Sequence, residues 1–208
     1  MNIIKHIKYF IKILIICLIC SSCTVGLFRS SQTKSIDETI KMLINDGKYK
    51  QAVDLMDKAS SNNRLDVKMQ LNIAWIYAFN NEFNKSLKIS DELIKDNPDW
   101  QEIYYLRGFV YQKAEKYNEA LKNYKKAVEI DPKDTKSYAS IAEIHQLLGN
   151  YNESINYYLQ VINIDPENYV YHLDLANVYF KKGDYKLSLE EAEKAFKYSP
   201  ESDREKIR

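Results

Sequence analysis

The chain has 208 residues, with 30 lysines and arginines against 29 aspartates and glutamates and a net charge of +1. So even a balance is no basic footprint for nucleic acid, and 28% charged residues is ordinary for a soluble surface. The three cysteines, Cys17, Cys20 and Cys23, all lie near the start, which rules out a disulfide framework in the body of the chain.

The first element is a leader. Lys5, Lys8 and Lys12 precede the unbroken apolar run ILIICLIC (13–20), and no acid occurs before Asp37. A basic start, a short apolar core and then small residues form the pattern of a secretory signal peptide. The 8 apolar residues fall well short of the roughly 20 that span a bilayer as a helix. A metal reading of C-x-x-C-x-x-C needs a fourth ligand, and only His6 is near; the apolar run has no turn to wrap an ion.

The end of the leader, CSSC (20–23), resembles the lipobox of bacterial lipoproteins, where cleavage precedes a cysteine that becomes lipidated. The lipobox usually has Leu three residues before that cysteine, and here the position is Cys20. The resemblance implies a signal peptide over 1–22, lipid on Cys23 as the membrane anchor, a tether over 23–32 and a bacterial cell-envelope location on the periplasmic or surface face. Ordinary cleavage after Ser22 and an uncleaved anchor from Ile13 to Phe28 remain open. Cleavage before Cys23 removes three lysines, leaving 27 basic residues against 29 acidic, a net of −2.

The remainder is periodic. The only prolines are Pro98, Pro132, Pro166 and Pro200, each 34 residues from the next, and Gly47, Gly149 and Gly183 keep one phase of the same period. A fixed period of this size marks a stacked repeat array. Five units follow, 33–66, 67–100, 101–134, 135–168 and 169–202, with a tail over 203–208. Each holds two apolar-periodic stretches of about a dozen residues, the signal of paired amphipathic helices. Glycine suits the turn between them, Asn81 substitutes for it, and Glu115 implies strain or a different turn. The prolines end the second helix.

The third unit, QEIYYLRGFVYQKAEKYNEALKNYKKAVEIDPKD, resembles a tetratricopeptide repeat through Gly108, Tyr111, Tyr117, Ala120, Tyr124, Ala127 and Pro132. The fifth matches at Ala176, Tyr179, Tyr185, Ser188, Ala195 and Pro200, and the fourth puts His145 in the tyrosine place. The second departs at Ser90 and Leu93; the first is weakest, with Ile40 and Arg64 off pattern. The resemblance implies an all-α fold, a tetratricopeptide superhelix (an α-solenoid) of five helix-turn-helix repeats forming one domain.

No catalytic constellation is present: no HExxH, no phosphate-binding glycine loop and no G-x-S-x-G. His145 and His172 sit at aromatic packing positions and read as core residues rather than metal ligands. Neither enzyme activity nor a cofactor is therefore expected. The family's groove positions instead imply a protein or peptide ligand held by Leu71, Trp75 and Ala78, then Tyr105, Phe109 and Gln112. Lys136, Ala139, Glu143 and Gln146 come next, then Val170, Leu173, Asn177 and Phe180. Trp75 and Phe109 can equally pack on each other. At the places where some relatives clamp a chaperone carboxyl terminus stand Leu71, Trp75, Leu106, Lys136 and Ser140; only Lys136 fits, so that partner is not expected.

The tail holds only DREKIR (203–208), so the face of Leu187, Ala195 and Phe196 is expected to be partly open and to support weak self-association. The function implied is a membrane-anchored scaffold or adaptor. A pilotin-like assembly factor for a secretion or pilus pore, which such repeat lipoproteins resemble, and a self-associating structural envelope protein are the alternatives.

Overall fold

The structure, a computed structural model, describes residues 38–40, 42–43, 46–60 and 67–203. The expected signal peptide, Cys23, the tether and the last five residues lie outside the described residues. The chain divides into two compact units, Met1–Leu65 and Asp66–Arg208.

In the first unit residues 38–40 and 42–43 are helical, and α1 spans Tyr49–Ser60. Ile40, Ala52 and Met56 are buried. Gly47 has φ +70°, and the Lys48 N–H donates to the Leu43 carbonyl at 2.8 Å.

The second unit is a run of helices without strands among the described residues. They are α2 (Val67–Phe79), α3 (Phe83–Asp96), α4 (Gln101–Lys113), α5 (Tyr117–Ile130), α6 (Thr135–Leu147), α7 (Tyr151–Ile164), α8 (Tyr169–Lys182) and α9 (Tyr185–Tyr198). Consecutive helices pack on each other throughout, first within a pair and then pair to pair, and α2 also touches α4. This is the architecture of an α-solenoid, in which each repeat finishes its core on its neighbour. Among the described residues no helix is long and apolar enough to cross a membrane.

Each hairpin turn is closed in the same way. Asn81 (φ +60°), Glu115 (φ +59°), Gly149 (φ +76°) and Gly183 (φ +93°) all take the left-handed conformation. The following N–H donates to the carbonyl five residues back: Glu82 to Tyr77, Lys116 to Tyr111, Asn150 to His145 and Asp184 to Tyr179, at 2.8–2.9 Å. That is the Schellman pattern. Glu115 therefore makes the same turn as the glycines and bears the strain of a side chain there. The second helices end alike. The N–H groups of Asn97, Asp131, Asp165 and Ser199 each reach the carbonyl four residues back at 2.9 Å. A proline follows each of them and offers no further donor. Two first helices have side-chain N-caps: Asp134 accepts from the Ser137 N–H at 3.2 Å, and Asn168 from the Val170 N–H at 3.3 Å.

Small residues set how closely the helices of a pair approach. A Cβ on Gly108 would stand 2.5–2.9 Å from three ring atoms of Tyr124. That ring is fully buried, and its hydroxyl donates to Gln112 Oε1 at 2.7 Å, so it has nowhere to move. In the next two pairs a serine crosses the gap instead: Ser154 Oγ donates to the Ala142 carbonyl and Ser188 Oγ to the Ala176 carbonyl, both at 2.8 Å. The equivalent Ser86 Oγ is buried without a partner.

At the last pair the expected open face is redrawn. Ala195 is fully buried, as is the equivalent Ala127 in an inner repeat, so this position faces its own hairpin whether or not a repeat follows. Phe196 is half-buried and Leu187 is exposed. The uncovered position is Leu189, 62% exposed where the equivalent Ile155 is 8% exposed.

Two substitutions test this account by urea unfolding. Glu115→Gly should raise stability by about 0.5–1 kcal/mol, the relief of a left-handed side chain less the entropy cost of glycine. Gly108→Ala should lower it by about 1–3 kcal/mol, because a methyl is forced into a filled space.

Candidate functional site

The first helices α2, α4, α6 and α8 lie side by side, and their shared face carries the expected groove residues. At one end it is aromatic. The Trp75 ring centroid lies 5.3 Å from Phe109, 5.7 Å from Tyr105 and 5.7 Å from Phe79. Phe79 meets Phe109 at 5.5 Å, and Tyr105 continues to Tyr124 at 5.6 Å. Tilted and edge-on pairs at these distances are the favourable aromatic geometries. Trp75, Tyr105 and Phe109 are half-buried, so they both pack on one another and show a face.

Two expected groove residues are corrected. Leu71 (5% exposed) and Ala78 (1% exposed) belong to the core, in one cluster with Ala74, Leu93, Ile103, Leu106 and Val110. The approach of α4 to α2 covers them, so they present no surface. Conversely Phe79, 52% exposed, was not among the expected residues. Its signal was legible: it follows Trp75 by four, one helical turn on the same face.

Further along, the face becomes polar and is organised by a register of 31 residues between adjacent first helices. Gln112 Nε2 donates to Glu143 Oε2 at 2.8 Å, and Gln146 Nε2 to Asn177 Oδ1 at 3.0 Å. The same register sets Glu143 opposite Asp174, a rung in which neither side chain can donate once both are ionised. Sequence reasoning missed Asp174. Lys136, Glu143 and Asn177 are exposed, Ala139 and Leu173 half-buried, and Val170 and Phe180 exposed at 43% and 63%. Phe180 meets Tyr185 edge-on at 5.5 Å.

Between the aromatic and polar parts lies a depression of 430 Å³. Tyr105, Phe109, Tyr117 and Tyr124 supply rings, Gln112, Ser140, Glu115 and Glu143 supply polar atoms, and Lys113 and Leu147 stand at its border. Lys113 Nζ sits 5.5 Å from the Phe109 ring centroid. Burial pushes the Tyr105 and Tyr124 hydroxyls above the ordinary tyrosine range, so both remain neutral donors.

The histidines are packed. The His145 ring stacks on Tyr157 at 5.6 Å, and its Nδ1 is buried without a partner. Burial holds its pKa below the ordinary value. His172 is 3% exposed; Nδ1 lies 2.6 Å from Glu191 Oε2 and Nε2 lies 3.0 Å from the Pro166 carbonyl. Lys194 also donates to Glu191, at 2.7 Å. This cluster joins α8, α9 and the turn before α8. Among the described residues no three His, Cys, Asp or Glu side chains gather as a metal site would need.

Asp174 has a thermodynamic signature. Burial first, and the Glu143 carboxylate second, push its pKa from 3.8 up to about 6. Between those values the folded state holds more protons than the unfolded one, so stability falls as pH rises through that window. Asp174→Asn should therefore stabilise the protein at pH 7, by on the order of 1 kcal/mol after discounting for solvent screening. The gain should vanish near pH 4, and urea unfolding of both proteins at the two pH values measures it.

Comparison with known proteins agrees with this architecture. Models described as tetratricopeptide repeat match residues 102–134 and 170–202, and one described as TPR repeat matches 144–183. No curated protein matches the chain in sequence. Among solved structures, MamA (residue 41 to the end) from Desulfovibrio magneticus RS-1 is 19% identical. The match covers 79% of this chain and 93% of that one at a TM-score of 0.66. A thermophilic tetratricopeptide protein of Thermus thermophilus is 18% identical over 82% and 94%, at 0.64. A tetratricopeptide repeat protein from Parabacteroides merdae is 25% identical over 79% and 64%, at 0.65. Residues 102–134 and 144–202 are thus built of tetratricopeptide repeats, and the fold is the all-α solenoid of that family.

Proposed function

We propose that this chain is a lipid-anchored adaptor of the bacterial cell envelope that holds a protein or peptide on the face formed by its first helices. The observation that carries the reading is the half-open aromatic cluster of Trp75, Phe79, Tyr105 and Phe109 at one end of a face whose middle carries polar rungs. Such rings present large rigid apolar area and are the usual anchors of interfaces. An extended segment or a partner helix fits a groove of this kind. The basic, apolar and small-residue order before Cys23 supports the anchor. A pilotin-like role in assembling a secretion or pilus pore is a narrower form of the same reading. The missing catalytic motifs support binding rather than catalysis.

A second reading, self-association through the last repeat, is favoured by the exposure of Tyr185 (65%), Leu187 (42%) and Leu189 (62%) on α9. It replaces the face first expected from Ala195 with Leu189.

One experiment separates these. Full-length protein, its Cys23→Ser variant and a Trp75→Ala, Phe109→Ala variant are expressed in a bacterial envelope and captured after mild cross-linking. The adaptor reading expects Cys23→Ser to leave the membrane fraction and lose the mass of the lipid. It also expects the folded double variant to lose a partner that the parent retains. Membrane retention of Cys23→Ser with no change in mass beyond the substitution overturns the anchor. Equal partner retention by the double variant moves the site off the aromatic face, and cross-links between copies alone favour self-association.

A further inference from the structure

Resting on the groove reading above, we infer that the depression between α4 and α6 takes a cationic side chain, an arginine in particular, from the bound segment. Its accessible rings are the half-buried Tyr105 and Phe109, with Tyr124 buried behind them, and the Glu143 carboxylate lines it as well. Ring faces carry negative quadrupole charge and attract a cation, more strongly where water is excluded. An arginine stem buries its methylenes against such walls while its planar fork stacks on a ring and reaches a carboxylate.

Three observations point to a cation rather than to an apolar or anionic group. Lys113 rests its ammonium 5.5 Å from the Phe109 centroid, so this ring already holds a cation, and an incoming one must displace that lysine toward solvent. Glu143 accepts from a neutral amide, Gln112, which leaves its negative charge uncompensated by that contact. Its neighbour in the 31-residue register is Asp174, a second carboxylate held half-buried although its ionisation costs stability. Elsewhere the register pairs a donor with an acceptor, Gln146 with Asn177. At Glu143 and Asp174 it pairs two acceptors; Asp174 stands outside the lining of the depression and adds negative potential there, while Glu143 is the carboxylate that the guanidinium N–H donors meet. Of the other charged groups nearby, Glu115 adds to the negative side, and Lys136 lies two turns before Glu143 on α6.

Full-length protein in detergent is titrated with four fluorescent, end-blocked nine-residue peptides of alanine and leucine. Their central residue is arginine, lysine, glutamate, or citrulline, the neutral isostere of arginine. The arginine peptide should bind about tenfold more tightly than the citrulline one, the worth of a desolvated cation on a ring and a carboxylate. Glu143→Gln, which keeps the acceptor for Gln112, should abolish that preference while the circular dichroism spectrum stays unchanged. Equal binding of arginine and citrulline overturns the inference and leaves an apolar groove standing. Tighter binding of the glutamate peptide, or an arginine preference that survives Glu143→Gln, overturns it too. Failure of all four to bind overturns it as well, because a side-chain site in the depression must show with the arginine peptide. Partner retention in the envelope experiment then decides the adaptor reading separately.

Discussion

A backbone N–H that reaches the carbonyl five residues back, across a residue in the left-handed region, makes each pair of helices a hairpin. The same closure recurs from Lys48 to Asp184. It fixes where the second helix starts relative to the first, and the proline-ended return fixes where the next first helix starts. With both connections standardised, adjacent first helices fall into one register. The groove follows from that: Gln112 meets Glu143 and Gln146 meets Asn177 because the turns between them do not vary.

The standard turn tolerates more side-chain variety than the standard packing does. Glu115 adopts the left-handed conformation at the local cost of its Cβ against its own backbone, but its exposed side chain displaces no neighbour. Gly108 has no such freedom, since Tyr124 fills the volume in front of it. The neighbouring repeats solve the same approach with alanine and a serine hydroxyl donating to the backbone opposite. Ser86 keeps the residue without the bond, so the second repeat lacks a link that the fourth and fifth possess.

The period, the turns and the helix ends were legible in the sequence because each depends on the backbone chemistry of one residue type: proline without a donor, glycine or asparagine at positive φ. The groove was legible only as a face. Helical periodicity says which way Leu71 and Trp75 point but not how deep each lies, and depth is set by the neighbouring helix, which covers Leu71 and leaves Trp75 half open. Phe79 lies off the family's groove positions and is marked only by the four-residue step from Trp75. Asp174 escaped for a different reason. Its character comes from burial and from Glu143, 31 residues earlier on another helix, and no local pattern encodes that.

The link between repeats has a kinetic side. Tyr171 bonding to Thr135 spans 36 residues, and the Tyr169 to Asp203 bond spans 34. Tertiary contacts in the second unit thus follow the chain at about one repeat's distance, the regime of low contact order in which loop-closure entropy is small and folding is fast. During synthesis each hairpin can dock as soon as the next emerges, without waiting for a distant partner. The His172, Glu191 and Lys194 cluster is likewise local: it ties α8 to α9 and so closes the last hairpin on itself.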